Sequence, residues 1–197
     1  MAAAASSNEE KSQAPSLTKL KKVIKDAFAN FDKIGNNTIQ ADEVGTIMRY
    51  LGQFASESDL KETIIPELTD EGGSEGQISF EAFEKMMLRN LSEHVYDPDD
   101  GEMLLAAFRV LDPEGRGYID SSVMHEHLST RGGKAVDGFR EREMADFLEY
   151  AKDKESADPN RIYYEDYVAK LTEDIERHLE NLYLDARGNK TAAGALR

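Results

Sequence analysis

The chain has 197 residues, with 39 acidic and 24 basic side chains and a formal net charge of −15. That surplus works against nucleic acid and anionic membrane surfaces, both of which need a basic footprint. With no cysteine in the chain, disulfides, thiolate zinc sites and cysteine nucleophiles are excluded.

Residues 1–15 are Ala/Ser-rich, carry Glu9 and Glu10, and lack the basic start and apolar centre of a signal peptide; they are read as a disordered tail of a cytosolic protein. After Ser16, Leu20, Ile24, Phe28 and Phe31 fall on one helical face, and beyond a polar stretch Val44, Ile47, Met48 and Leu51 form a second. Ser56, with Asp59 three residues on, signals the next start. That helix carries Leu60, Ile64 and Leu68, and Pro66 within it predicts a kink or an early stop. Phe83, Met86, Met87 and Leu91 follow on its partner helix.

Over 92–101 the helical pattern is interrupted by Asp97, Pro98, Asp99, Asp100 and Gly101, with Asp97 before Pro98 as the start signal of the next helix. The stretch is taken as a linker between an amino-terminal pair of units, 16–91, and a carboxy-terminal pair, 102–185. The third unit offers Leu104, Phe108 and Leu111, then Met124 and Leu128. Its apolar run, residues 103–108, is the longest in the body and far short of the roughly 20 residues of a membrane span. After Arg131-Gly132-Gly133-Lys134 and a weaker cap at Asp137, the fourth unit offers Met144, Phe147, Leu148 and Ala151, then Tyr164, Tyr167, Val168, Leu171 and Ile175. Residues 186–197 return to tail-like composition and are read as a second disordered tail.

A repeat organises these elements. Ala27-Phe28-Ala29-Asn30-Phe31-Asp32 returns 80 residues later as Ala107-Phe108-Arg109-Val110-Leu111-Asp112. Ile39, Ile78, Ile119 and Ile162 are spaced 39, 41 and 43 residues apart. The chain is therefore four similar helix–loop–helix units in two pairs, an all-α fold with short β pairs where loops meet.

An isoleucine eight places into a twelve-residue acidic loop between two helices is the EF-hand pattern. Oxygen ligands come from positions 1, 3, 5, 7 and 9 and from a bidentate glutamate at 12, with glycine at 6 for the turn. The first loop has Asp32, Asn36, Thr38, Gln40 and Glu43 at positions 1, 5, 7, 9 and 12, but Ile34 at 3 and Asn37 at 6. Asp32, Asn36, Thr38 and Glu43 are its metal-ligand candidates, for weak calcium binding at this loop alone. The second loop, with Glu71 at 1, Gly73 at 3 and Glu75 at 5, ends on Ala82 where the bidentate glutamate belongs. The third has Asp112, Glu114, Gly117 and Asp120 in favourable places, yet puts Arg116 at position 5 and Val123 at 12. The fourth places Glu155, Ala157 and Pro159 at ligand positions and Asp166 at 12, and is read as empty unless an insertion brings Asp153 and Asp158 inward.

Over about 165 residues, 17–182, the chain resembles the calmodulin superfamily; Phe108-Arg109-Val110-Leu111-Asp112 and Gly117-Tyr118-Ile119 are close to calmodulin's third hand, and Leu51-Gly52-Gln53 matches the turn after its first. It is more similar to the family of the EF-hand subunit 8 of the nexin–dynein regulatory complex of motile cilia and flagella. Ile24-Lys25-Asp26-Ala27-Phe28, Asn36-Asn37-Thr38, the run from Glu43 to Arg49, and Leu105-Ala106-Ala107-Phe108 carry that resemblance. It implies a non-catalytic, calmodulin-like structural subunit of the axoneme, placed in the cytoplasm and cytoskeleton of a cilium or flagellum, with other regulatory-complex subunits as partners and a part in controlling dynein-driven motility. The alternative is a calcium-triggered sensor of calmodulin or centrin type.

Paired hands surround an apolar groove that takes an amphipathic helix. Met48, Met86, Met87, Met124 and Met144 are groove candidates because methionine adapts its shape, and the bland reading makes them ordinary core. Leu171 and Ile175 join them as candidates on a final helix whose apolar positions continue through Leu179 and Leu182. That helix either reaches a partner helix or folds back on its own lobe. For an enzyme the signals are poor. His125 and His127 are two apart and share no helix face, His94 and His178 stand alone, and Gly72-Gly73-Ser74-Glu75-Gly76 lacks the lysine of a phosphate loop.

Overall fold

A computed structural model of the chain describes residues 17–71, 76–129, 139–152, 158 and 160–185. The first hand is α1, Leu17–Ala29, then β1, Thr38–Gln40, then a 3-10 turn, Ala41–Glu43, that runs into α2, Val44–Tyr50. The second is α3, residues 57–70, then β2, Gln77–Ser79, and α4, Phe80–Glu93. The third is α5, Gly101–Leu111, with β3, Tyr118–Asp120, and α6, Ser121–Ser129. The fourth is α7, Glu141–Ala151, with β4, Arg161–Tyr163, and α8, Tyr164–Asp185.

The four repeat isoleucines join the hands in pairs. β1 runs antiparallel to β2 with Ile39 opposite Ile78, and β3 antiparallel to β4 with Ile119 opposite Ile162. All four are buried, each the apolar centre of a three-residue strand whose neighbours face outward.

The amino-terminal lobe closes around one continuous core. α1 buries Val23, Ile24, Ala27 and Phe28 along one face, and the Phe28 ring meets those of Phe80 and Phe83 at 5.2 and 5.4 Å. Ser56 caps α3 as its spacing predicts, its Oγ accepting the Asp59 N–H at 3.0 Å. Pro66 neither stops nor breaks that helix. A π-helical segment, Leu60–Ile64, precedes it, closed by the Ile65 N–H donating to the Leu60 carbonyl, and α-helix resumes over Ile65–Asp70.

The start of α5 differs from expectation. Asp100, not Asp97, is its cap, with Oδ1 accepting the Met103 N–H at 2.7 Å. Asp97 instead fastens the connection between lobes: it accepts from the buried Gln53 Nε2 at 2.9 Å and lies 2.6 Å from His94 Nδ1. The caps expected at Ser16 and Asp137, the Gly132-Gly133 break and both terminal tails lie outside the described residues.

α8 leaves the carboxy-terminal lobe and ends on the other. Its Leu182 and Tyr183 pack against the amino-terminal core. Tyr183 donates its hydroxyl to the Leu51 carbonyl at 2.8 Å, and His178 Nε2 lies 2.8 Å from the Tyr50 carbonyl. A Cβ added at Gly52, which has φ +83°, would stand 2.6 Å from the Leu179 side chain. The helix therefore folds back across the opposite lobe, a course that the choice between a partner helix and its own lobe did not include.

Candidate functional site

In the first loop the ligand candidates are already engaged with the chain. Asp32 Oδ1 accepts the N–H groups of Gly35 and Asn36 at 2.8 and 3.2 Å, and its Oδ2 that of Asn37 at 2.8 Å. Burial raises the Asp32 pKa, but these N–H groups outweigh it and hold the carboxyl below its ordinary value. Asn37 takes the left-handed backbone, φ +58°, that the sixth position demands. Asn36 Oδ1 accepts the Thr38 N–H at 3.1 Å and the Thr38 hydroxyl at 2.7 Å, while Ile34 projects into solvent, 75% exposed. Glu43, the bidentate position, accepts from Lys33 Nζ through Oε1 at 2.7 Å and from the Gln40 N–H through Oε2 at 3.1 Å. The hydrogen bond to Lys33 lowers the Glu43 pKa and raises that of Lys33.

The third loop is organised around a cation of its own. Arg116 Nε lies 3.5 Å from Asp112 Oδ1 and 3.7 Å from Glu114, and its Nη1 lies 3.5 Å from Asp120. Positions 1, 3 and 9 thus converge on the guanidinium that position 5 supplies. Asp112 is buried; its Oδ2 accepts the Gly117 N–H at 2.8 Å and the Tyr164 hydroxyl at 3.2 Å, and its Oδ1 accepts no hydrogen bond among the described residues. Burial pushes the Asp112 carboxyl up. The N–H groups of Arg116 and Gly117, the Tyr164 hydroxyl and the guanidinium outweigh burial and hold it below its ordinary value of 3.8.

A second arginine comes from the facing loop. Arg161 lies 4.3 Å and Arg116 4.9 Å from the ring centroid of Tyr118, and Arg161 Nε pairs with Asp158 at 3.2 Å. The Tyr118 and Tyr163 rings lie 5.8 Å apart across the ladder. Arg161 is not among the residues the sequence singles out, and Tyr118 enters there only within the Gly117-Tyr118-Ile119 resemblance. The available signal was an arginine at the seventh position of the fourth loop, opposite an arginine-bearing third loop. In the second loop Glu71 accepts from Lys85 Nζ at 2.7 Å and Ala82 is buried at position 12. Gly73, Glu75, Asp153, Glu155, Ala157 and Pro159 lie outside the described residues. Among the described residues no group of three or more His, Asp or Glu side chains is placed to hold a metal ion.

The five groove methionines are core in this conformation. Met48, Met86 and Met87 belong to the amino-terminal cluster, Met124 to the carboxy-terminal one, and Met144 is 2% exposed. Leu171 and Ile175 are half-buried along α8. A separate cavity of about 610 Å³ opens between α1 and the end of α8, lined by Lys19, Lys22, Tyr50, His178, Asn181 and Leu182 among others.

Paired loops, an isoleucine ladder and four helix–loop–helix units define the class: this is an EF-hand, calmodulin-like protein. In fold it is similar to the Physarum polycephalum myosin II regulatory domain, with a TM-score of 0.58 and 22% identity over 77% of this chain and 93% of that one. No family model matches the chain. Dynein regulatory complex protein 8 of Mus musculus is 38% identical over 158 residues, 80% of this chain and 91% of the relative. The Homo sapiens protein of that name is 36% identical over 115 residues, which are 58% of this chain and 42% of that longer relative. A probable calcium-binding protein of Arabidopsis thaliana, CML14, is 30% identical over 148 residues, 75% of this chain and 89% of the relative. The chain belongs to the dynein regulatory complex protein 8 family.

Proposed function

We propose that the chain is a non-catalytic subunit of the axonemal dynein regulatory complex, holding helical segments of neighbouring subunits without needing calcium to do so. The name and extent of the mouse relative support the complex and the axonemal setting. The observation that carries calcium independence is Arg116, whose guanidinium faces the carboxylates of Asp112, Glu114 and Asp120. A resident cation counters those charges, and in this reading the loop keeps its shape without a dissolved ion. Lys33 plays the matching part against Glu43 in the first loop. A divalent ion would have to displace a covalently tethered cation in either loop, and would find no oxygen on Ile34 or Val123.

In this reading the paired lobes hold a partner through surfaces whose shape is independent of calcium. The sensor alternative requires at least one loop that seats calcium and a lobe that opens its methionine core in response. Recovery of the chain with its complex from axonemal extracts distinguishes the two. Equal recovery in EGTA and in millimolar calcium is the expected result, accompanied by no micromolar binding heat on calcium titration of the full chain. Loss of the partners in EGTA would replace the permanent subunit by the sensor.

A further inference from the structure

α5 is apolar around most of its circumference, and only part of that circumference is used inside the molecule. Leu105, Phe108 and Leu111 pack against the carboxy-terminal core. Met103, Ala106, Ala107 and Val110 form a second stripe at i, i+3, i+4 and i+7, and all four are exposed, Met103 at 58% and Val110 at 78%. Helices with apolar residues all round are ordinarily covered on both sides, and a solvated stripe of this spacing on a chain of charge −15 is not the usual solvated face. The contrast with α1 sharpens the point: its exposed positions between the apolar Leu17 and Ala29 at its ends are Thr18, Lys21, Lys22, Lys25 and Asp26.

We propose that the outward stripe of α5, Met103, Ala106, Ala107 and Val110, docks one amphipathic helix of a partner subunit whose apolar ridge is bordered by lysine or arginine. The inference deepens the reading of the chain as a subunit of a complex and rests on it. Helical spacing fits a helix, and the two central alanines let its backbone come close while Met103 and Val110 grip it at either end. Charge selects the borders. Exposed Asp99, Asp100 and Glu102 lie at the amino-terminal end of the stripe, and residues 97–126 carry eight acidic side chains against two basic ones. A second copy of this chain would bring a further −15 to the same place, so self-association is disfavoured.

The test uses the full chain and Val110→Glu, with a synthetic helix of about 18 residues bearing leucines at i, i+3, i+4 and i+7 bordered by lysines. Wild type is expected to bind it, the glutamate-bordered version to bind at least tenfold more weakly, and V110E to lose at least tenfold in affinity while melting as wild type does. Four results would overturn the proposal: unchanged binding by V110E, no preference for lysine over glutamate borders, a sharply lowered V110E melting temperature (the stripe then being covered by this chain itself), or a wild-type dimer that V110E dissociates. In axonemal reconstitution V110E is expected to fail where wild type is incorporated. Equal incorporation sinks the α5 surface alone, whereas failure of wild type itself sinks the subunit reading.

Discussion

Arg116 shows how one side chain can turn a metal loop into a fixed one. Its tether holds a positive charge among Asp112, Glu114 and Asp120, where an ion's six to eight oxygens would otherwise be needed. Arg116→Asn together with Val123→Glu should restore a complete ligand set, and calorimetry should then find calcium heat absent from wild type. The lowered Asp112 pKa also sets a pH dependence. Because the folded value lies below the ordinary 3.8, its stabilisation is complete above that value and is lost as pH falls through the folded one. Asp112→Asn is expected to flatten this acid limb, read as the fall in melting temperature below pH 4. At this scale the sequence disclosed Arg116 only as an obstruction to calcium. Its positive role, and the stacking of Arg161 on Tyr118 from a loop 43 residues away, depend on a ladder register that brings the two loops together.

At the scale of elements, α3 shows spacing and backbone adjusting to one another. Leu60, Ile64 and Leu68 are all buried at intervals of four, which drifts off one face of a 3.6-residue helix. The π-helical segment takes up the excess and keeps the three on the core side. If packing rather than the ring specifies that segment, Pro66→Ala should leave it in place and change stability by less than about 1 kcal/mol. Carbon chemical shifts and urea unfolding would check both. By contrast Phe83→Ala, at the centre of the same lobe, should cost about 3–5 kcal/mol. The repeat isoleucines made the hand pairing legible, since a buried residue at a fixed loop position has few places to go. The outcome at Pro66 was not legible, because a proline rule describes the ring and not the hydrophobic spacing around it.

Across the whole molecule, α8 ties the lobes together. Its amphipathic pattern could be read, but which surface receives it depends on the path of the linker and on Asp97 binding Gln53. Gly52→Ala tests the tie. The side chain would meet left-handed backbone and the Leu179 methyls at once, so a loss of about 1–3 kcal/mol is expected, with amide exchange rising at the end of α8. Truncation after Leu171 should lower the melting temperature of the amino-terminal lobe, because Leu182 and Tyr183 leave its core.

One consequence of that continuous helix is mechanical. At about 1.5 Å per residue its 22 residues make a rod of about 33 Å, rooted at the β3–β4 ladder and meeting the far lobe over its last third, from His178 to Tyr183. Tilting the root by about 5° would sweep the tip by about 3 Å, enough to part the Tyr183 hydroxyl from the Leu51 carbonyl. A small torque on one lobe is thereby amplified into a broken latch on the other.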